Sequence, residues 1–157
     1  GNPSPGNIAG GLSTIEEKSL GCISKAGTAE LQGVIDFAAA LPGKGYYFMD
    51  SPGNDIECVT GMAATGVQIV CFTTGRGTPT GNPIIPVIKI TANELTGQRM
   101  ADNIDIDVSS VLKGAESLDE AGKRIFNLIL EVANGEKTKA EILGHQEFGI
   151  SRIGISL

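Results

Sequence analysis

The chain has 157 residues, enough for one domain of ordinary size with a core of its own. Acidic residues outnumber basic ones by 18 to 12, and the net charge of −6 excludes the broad positive field of a nucleic-acid or anionic-membrane binder. No run approaches about 18 uninterrupted apolar residues, so we expect no membrane span. The amino end has neither a basic region nor an apolar one, so we expect no signal peptide.

The cysteine and glycine counts narrow the class of protein further. The 3 cysteines include no CxxC pair, which points to a reduced, cytoplasmic setting rather than a disulfide scaffold. The 22 glycines are about twice the average share but do not repeat, so collagen-like and low-complexity chains are excluded. Such glycines indicate many tight turns, of the kind that bring the main chain close to a ligand.

The first third of the chain combines loops with short helices and one strand. We predict an irregular loop over residues 1–12, then a helix opened by the capping box Ser13–Glu16 and running to about Lys25. A second helix is predicted over Val34–Leu41, before a Pro-Gly pair. The aromatic run Tyr46–Met49 predicts a buried strand that leads into a turn.

The middle of the chain contains the best strand. A helix capped by Asn54 precedes Val67–Thr73, a β-branched and apolar run typical of the centre of a parallel sheet. This strand leads into the glycine-rich loop Thr74–Gly81. Ile84–Ile90 predicts another strand, and Pro86 favours an edge position or a bulge for it.

The last third is dominated by helices. The capping motifs and the spacing of apolar residues predict three helices and two extended segments: a helix from Thr91 to about Met100, an extended segment over Ile104–Val108 with Asp105 and Asp107 on a solvated face, helices over Ser117–Asn134 and Thr138–Leu143, and a final strand over Phe148–Ile155. We find no internal repeat and no linker. The sequence therefore predicts one α/β domain over 1–157, a three-layer Rossmann-like fold with a mostly parallel sheet and flanking helices.

The glycine-rich loop is the first candidate site, because ligands of open α/β sheets bind beyond the carboxyl ends of strands. We expect the amides of Thr74, Gly75 and Gly77 to bind a substrate anion, with Arg76 adding a bidentate contact. The alternative is a structural loop with a solvated arginine. A nucleotide site is disfavoured, because prolines and no third glycine follow the loop.

The opening segment is the second candidate site. Two prolines stiffen a loop that displays Asn2, Ser4 and Asn7, side chains suited to bind hydroxyl and carboxylate oxygens. We expect one of Glu16 and Glu17 to cap the following helix and the other to be free as an acid, a base or a metal ligand. The alternative is a plain loop that leads into a helix.

Carboxylates near the second predicted strand are the third candidate. Asp50 and Glu57 could supply oxygen ligands to a divalent ion or act as a proton-transfer pair. Alternatively, Asp50 begins a turn and Glu57 complements a helix dipole. Asp102, Asp105 and Asp107 lack the EF-hand glycine and distal glutamate, so we interpret their alternation as a solvated strand face.

Cysteine and histidine offer little to a metal. Cys58 and Cys71 lie in apolar surroundings and are expected to be small core residues. A cluster held by Cys22, Cys58 and Cys71 is disfavoured, because their spacing is not a recognised one. His145 is the only histidine, which excludes a His-rich zinc or iron site within this chain.

Blocks that stand in order along nearly the whole chain carry a family resemblance: Gly1–Asn7, Gly10–Thr14, Glu16–Gly21, Phe48–Gly53, Phe72–Gly77 and Pro86–Ile90. Together they resemble the carboxy-terminal part of the altronate/galactarate dehydratases, which are much longer enzymes. The resemblance implies that the chain is the carboxy-terminal part of a longer dehydratase. It implies a hydro-lyase acting on sugar acids with a divalent metal, Fe(II) or Mn(II).

The resemblance leaves alternatives open. The same family includes sulfolactate sulfo-lyase large subunits, so elimination of sulfite is possible, and the segment could also be a non-catalytic packing and assembly module. We expect a small-molecule substrate, contacts with upstream domains, a homo-oligomer, a cytoplasmic location and an inactive isolated fragment.

The chemistry of dehydration suits several residue types in this chain. A proton beside a carboxylate is removed and hydroxide leaves the next carbon, so cations and acids are needed. The metal ligands are expected to be Asp50 and Glu57. The candidates for proton transfer or electrostatic stabilisation are Glu17, Lys18, Lys25 and Lys89, since a buried lysine can have its pKa tuned downward.

Overall fold

A computed structural model describes residues 3–9 and 11–150 of the chain. The helices and strands follow in the order α1 Pro5–Ala9, α2 Ile15–Lys25, β1 Leu31–Ile35, β2 Tyr46–Met49, α3 Asp55–Ala64, β3 Val70–Thr73, β4 Val87–Thr91, α4 Glu94–Arg99, β5 Ile106–Asp107, α5 Ser109–Leu112, α6 Leu118–Ala133 and α7 Lys139–Leu143. Among these residues, no helix is both long enough and apolar enough to cross a membrane.

The strands form two parallel sheets. The first has the order β1-β2, and the second has the order β3-β4-β5. Helices flank the strands, which confirms the predicted α/β class and is consistent with a Rossmann-like fold. All pairs being parallel, the carboxyl ends of β3, β4 and β5 meet at one edge.

The central strand of the larger sheet is β4, not β3. The sequence placed Val67–Thr73 at the centre and gave Ile84–Ile90 an edge position or a bulge. Both predictions are wrong for the described sheet, because β4 lies between β3 and β5 and pairs with β3 in a regular register. Every residue of β4 is buried, whereas Cys71 of β3 is exposed. Pro86 removes no ladder bond, because it precedes β4 and its carbonyl accepts from the Val70 amide at 3.0 Å.

Three further predictions in the first third of the chain are wrong. Strand β2 forms over Tyr46–Met49 as predicted, but it is not buried, since Tyr46 and Phe48 are 37% and 58% exposed. Part of the helix predicted over Val34–Leu41 is strand β1, in keeping with the β-branched Val34 and Ile35. The opening loop contains the short helix α1, whose first residue is Pro5. A proline is well suited to that position, because its missing N–H would have no partner there.

The predicted helix starts are largely confirmed. Asn54 caps α3, and complete capping boxes begin α6 at Ser117 and α7 at Thr138. The caps of α2 and α4 differ by one or two residues, being Thr14 and Asn93. No strand forms over 148–150, and the rest of the predicted final strand lies outside the described residues.

The core lies on both faces of β4. On one face Val87 packs with Val59 of α3 and Val70 of β3. On the other face Ile88 and Ile90 pack against α6 through Val132. This packing fixes the positions of α3 and α6 against the sheet, and with them the edge at which the strands end.

Candidate functional site

An open cleft of about 1150 Å³ lies at the carboxyl edge of the three-stranded sheet. Its lining comes from the carboxyl ends of the three strands and the residues that follow them, from α4, α5 and α6, and from the end of α2: Lys25, Thr73, Thr74, Gly75, Ile90, Ala92, Asn93, Glu94, Val108, Ser109, Leu112, Lys113, Leu118 and Ile125. The cleft lies where ligands of parallel α/β sheets usually bind. It brings the predicted residues Lys25, Thr74 and Gly75 together, although 49 positions separate Lys25 from Thr74.

The glycine-rich loop has a shape fixed by its own hydrogen bonds. The Gly77 amide donates to Thr74 Oγ1 at 2.9 Å. The Gly75 carbonyl accepts from Asn93 Nδ2 at 3.0 Å and from Thr96 Oγ1 at 2.7 Å. Gly77 has a φ of +91°, and a Cβ there would clash with the side chain of Met100. The loop is therefore anchored on α4 and presents a fixed backbone to the cleft.

Two cations near this edge are available to an anion. Arg76 is exposed in the loop and makes no hydrogen bond or ion pair with the residues that the structure describes. Lys25 lines the cleft and likewise has no ion-pair partner among residues 3–9 and 11–150. Lys113, by contrast, is paired with Glu94 on the cleft wall. Lys25 and Arg76 are thus the better candidates for binding a carboxylate.

The polar side chains of the opening segment bond mostly to one another. The Ser4 amide donates to Asn7 Oδ1 at 3.1 Å, and the Asn7 amide donates to Ser4 Oγ at 3.3 Å. Lys18 Nζ donates to the same Asn7 oxygen at 3.1 Å. Ser4, Asn7 and Lys18 are therefore brought together, as a cluster that ties α1 to α2. Asn2, the third predicted residue of this loop, lies outside the described residues.

Helix α2 connects this cluster to the cleft. Lys18 and Lys25 are seven residues apart, which places them on the same helix face and about 10 Å apart along the axis. The two lysines that the sequence nominated in this helix therefore face the same side. One contacts the opening segment and the other lines the cleft.

The side chain of Glu17 bonds to Ser13, the residue that precedes the cap of its own helix. Its carboxylate accepts from the side chain and the amide of Ser13, and the pKa of Glu17 is lowered by these two hydrogen bonds. Glu16, which was to be the alternative cap, is exposed, and the pKa of its carboxyl is lowered by its own backbone amide and by Thr14. A carboxyl held in its ionised form is a poor proton donor, so this placement does not favour Glu17 as a general acid.

Asp50 and Glu57 lie in different surroundings. Asp50 is exposed and lines a second cleft, of about 480 Å³, that β2 shares with α3. Glu57 is buried in the first turn of α3, with Gly149 packed against it. No group of three or more histidine, cysteine or acidic side chains suited to a metal ion occurs in the described part of the chain. The described residues alone therefore do not fit a complete metal site.

Lys89 is fully buried in the middle of β4. Its Nζ donates to the Thr80 carbonyl at 3.4 Å and lies 4.0 Å from Asp105 Oδ2. Burial lowers the pKa of Lys89, and the charge of Asp105 opposes this shift. Lys89 does not line the cleft. Through its contact with the Thr80 carbonyl, Lys89 instead supports the loop that follows Gly77.

Sequence reasoning missed the partners of Lys89. Asp105 was assigned to a solvated face, and that prediction is wrong: its side chain is 6 % exposed and accepts from the amides of Lys89 and Lys139 at 2.6 and 2.8 Å. Glu147 accepts from the Gly81 amide at 2.8 Å and contacts His145 Nδ1 at 3.1 Å. A lysine within an apolar strand was the one available signal, since a buried cation requires an acidic partner.

The cysteines do not form a site. Cys22 and Cys71 are exposed, which contradicts the predicted core position of Cys71, and Cys58 is half-buried. Cys71 is exposed because it lies on the edge strand of the described sheet. The part of the chain that the structure describes holds no group of three or more histidine, cysteine or acidic side chains suited to a metal.

Comparisons with known proteins agree with the family resemblance. The family model described as D-galactarate/Altronate dehydratase, C-terminal, matches residues 1–156. The (2R)-sulfolactate sulfo-lyase subunit beta of Chromohalobacter salexigens is 48% identical over 96% of this chain and 39% of its own length. The altronate dehydratase of Bacillus subtilis is 36% identical over 99% of this chain and 31% of its own. The galactarate dehydratase (L-threo-forming) of Escherichia coli is 38% identical over 87% and 26%.

Proposed function

Because the chain belongs to the family of D-galactarate/altronate dehydratase C-terminal regions, we propose that it is the carboxy-terminal part of a longer hydro-lyase. That enzyme dehydrates a sugar acid of the altronate or galactarate type to a 2-keto-3-deoxy acid. The chain spans 26–39% of the length of three relatives that it matches, so the activity is proposed for the whole protein. The observation that carries the proposal is the cleft in which Lys25 meets Thr74 and Gly75.

The cleft and the loop beside it suit the binding of a hydroxy acid: Lys25, Thr74 and Gly75 line the cleft, whereas Arg76 and Gly77 follow in the loop outside its lining. We assign the substrate carboxylate to Lys25, Arg76 and the backbone of the loop from Thr74 to Gly77, whose shape is fixed before a ligand arrives. Removal of the proton next to that carboxylate spreads negative charge onto its oxygens, and nearby cations stabilise that charge. Lys18, Ser4 and Asn7, on the same side of α2, are proposed to contact the hydroxyl groups of the substrate.

A divalent metal, Fe(II) or Mn(II), remains part of the proposal for the whole protein. The described residues do not form a metal site by themselves, so its ligands would come mainly from the rest of the polypeptide. Asp50 and Glu57 stay candidate contributors, and we derive no catalytic step from a metal bound to this chain alone. Loss of activity on chelation, restored by one of the two metals, tests this part.

Substitution of Lys25 by Ala in the whole enzyme tests the assigned cleft. We expect kcat/KM to fall by about 100-fold, mostly through KM, because a cation that binds the substrate carboxylate is lost. Lys25→Arg should recover part of the loss. Lys137→Ala, at an exposed lysine outside the cleft, is the matched control and should change little. Unchanged kinetics of Lys25→Ala would remove this cleft from the active site.

A second candidate function is the elimination of sulfite from sulfolactate. The 48% identity to a sulfo-lyase subunit favours it. The same cleft would bind the carboxylate, and the sulfonate would replace the leaving hydroxyl group. Assays of the whole protein with altronate, galactarate and (2R)-sulfolactate separate the two reactions. Activity with none of them, from a folded protein supplied with metal, would favour a packing and assembly module.

The remaining expectations concern the setting of the enzyme. We propose a cytoplasmic homo-oligomer that acts on a small molecule, with no nucleic-acid or membrane partner. The relative named subunit beta adds a second kind of subunit as an alternative. Gel filtration with light scattering of the purified whole protein distinguishes these assemblies.

A further inference from the structure

One face of the β1–β2 sheet carries four large apolar side chains that stay 37–67% exposed in the described structure. The register pairs Leu31 with Tyr46 and Val34 with Phe48. An irregularity between Leu31 and Gly33 keeps Leu31 and Val34 on the same face. The exposed fractions of Leu31, Val34, Tyr46 and Phe48 are 50%, 67%, 37% and 58%. We call these four residues the open sheet face.

The opposite face of this sheet is partly covered by α3. Tyr47 and Met49 are half-buried and line a cleft together with Cys58 and Met62 of α3, and Phe48 reaches the same cleft although most of its side chain is exposed. Parallel sheets are stable when both faces are covered, and a two-stranded sheet is marginal in water without such cover. The open sheet face is therefore the unpartnered half of an element that is packed on its other side.

The composition of the two strands indicates a permanent contact. Neither LQGVI nor YYFM contains a charged residue. Interfaces that form and dissociate are about as polar as ordinary protein surface, whereas permanent ones resemble a domain core cut in half. Exposed apolar residues of α2, Leu20 at 62% and Ile23 at 69%, extend the apolar character of this part of the chain.

From these observations we infer that the open sheet face is the surface on which the rest of the same polypeptide packs. The inference rests on the proposed function only in taking the chain as part of a longer protein. The relatives supply the occupant: they align with nearly all of this chain but have 61–74% of their own length outside the match. A tethered segment also has a high effective concentration and binds such a face more readily than a second molecule does.

The unmodified whole protein provides the test, through oxidation of its phenylalanines by hydroxyl radicals with peptide mass spectrometry as the readout. Phe48 and Phe126 are both 58% exposed in this structure, so Phe126 on α6 is a control of the same residue type. We expect Phe48 to be oxidised at least 10-fold more slowly in the native protein than in the unfolded one. A protection of only about twofold, as the exposure in this structure implies, would overturn the inference.

Dilution separates the two possible occupants. Protection of Phe48 that persists when the protein is diluted to monomers supports the same polypeptide as the occupant. Protection lost together with the oligomer would assign the face to a second copy and overturn our choice. Val34→Asp supplies an independent variant: it should lower the unfolding midpoint of the whole protein by several degrees more than Ile142→Asp, whose parent residue is equally exposed at 67%.

Enzyme assays on the same preparation keep this inference apart from the proposed function. A protein with Phe48 protected but no dehydratase or sulfo-lyase activity would support the interface and contradict the function. An active enzyme with Phe48 freely oxidised would support the proposed function and contradict the interface.

Discussion

The regions before and after Asp55 contain similar elements but differ in how they are held. All buried residues of the described chain lie between Glu57 and Ala140, and none lies in the described part before Asp55. The strands VCFT and YYFM are both mostly apolar, yet only the first belongs to a sheet whose central strand is covered by helices on both faces. Apolar sequence alone thus does not make a core. The later region brings its own covering helices, and the earlier one depends on a surface from elsewhere.

The largest expected effect comes from the core of the later region. Ile88→Ala removes most of a side chain that is 0% exposed between β4 and α6, and should cost about 3 kcal/mol of unfolding free energy. Ile84→Ala, at a residue 71% exposed, should change it by less than about 0.5 kcal/mol. Chemical denaturation of the whole protein, followed by fluorescence and circular dichroism, measures both. Similar values for the two would mean that β4 is not the centre of this core.

A contact between the two regions gives the next effect. Gly61 of α3 is buried, and a Cβ there would clash with the ring of Phe37 from the earlier region. We expect Gly61→Ala to destabilise by about 1–2 kcal/mol, because the ring must move out of a packed position. Gly122→Ala on exposed α6 has nothing within 4 Å of the new methyl, and should stabilise by about 0.5–1 kcal/mol through helix propensity. A stabilising Gly61→Ala would show that Phe37 does not pack there.

These two regions also show what the sequence could and could not predict. Caps at Asn54, Ser117 and Thr138 were predictable, because side-chain capping is decided within three or four residues. The order β3-β4-β5 was not, since it depends on which helices cover which strand. The segment that begins at Val34 was predicted to be a helix from local sequence, but its first residues pair with β2 as a strand instead.

The candidate site divides in the same way. That Thr74–Gly77 follows a strand and forms a loop was evident from local composition. That Lys25 reaches the same cleft was not, because the contact joins residues far apart in the chain. Asp105 was misassigned for a related reason. Its alternation with isoleucine reflects only the strand on which it lies, whereas its burial depends on α7, whose Lys139 amide donates to the Asp105 carboxylate.

A smaller effect is expected where the chain after α7 contacts the loop before β4. Burial alone would raise the pKa of Glu147, but the hydrogen bonds from the Gly81 amide and from His145 outweigh it, and the pKa is lowered overall. A carboxyl group whose pKa is lower in the folded than in the unfolded state stabilises the protein at a pH above its unfolded-state pKa. This contribution is lost as the pH falls through its folded-state pKa. Glu147→Gln should therefore cost about 1 kcal/mol at pH 7, and the difference from wild type should shrink as the pH falls through the acidic range.

The matched control for this pH effect is Glu136→Gln, at an exposed carboxylate without a hydrogen bond to the described residues. Because it lies on the surface away from such contacts, its substitution should change the unfolding free energy at pH 7 by less than about 0.5 kcal/mol. Urea denaturation between pH 3 and pH 7 provides the measurement. If the unfolding free energies of Glu147→Gln and wild type differed by the same amount throughout this range, the charge of Glu147 would not contribute to the stability of its contact with Gly81.

The smallest effect on stability is expected from Lys89→Met, although this residue lies deepest in the later region. Asp105 keeps its hydrogen bonds from the amides of Lys89 and Lys139 in the variant, so only the ammonium and its long contacts are lost. Removing one partner of a buried ion pair usually costs about 3–5 kcal/mol, because the other charge is left buried and unpaired. The pair here is long, at 4.0 Å, and the two amides still stabilise Asp105, so we expect a change within about 1 kcal/mol at pH 7. Exposed Lys123→Met is the control for the loss of a charge.

The pH dependence of Lys89→Met makes this prediction sharper. Burial lowers the pKa of Lys89 in the folded protein below the value of about 10.4 that lysine has in an unfolded chain. Between these two pKa values the unfolded chain binds more protons than the folded one, so the unfolding free energy of the wild type should rise with pH there. The variant should lack this rise, which urea titrations between pH 7 and pH 10 would detect.

A loss of unfolding free energy above about 3 kcal/mol in Lys89→Met would instead show that the pair with Asp105 holds the sheet together. If turnover fell about 100-fold while the unfolding midpoint stayed constant, Lys89 would be the base or electrostatic stabiliser that the sequence nominated, reached through a rearrangement of the loop above it.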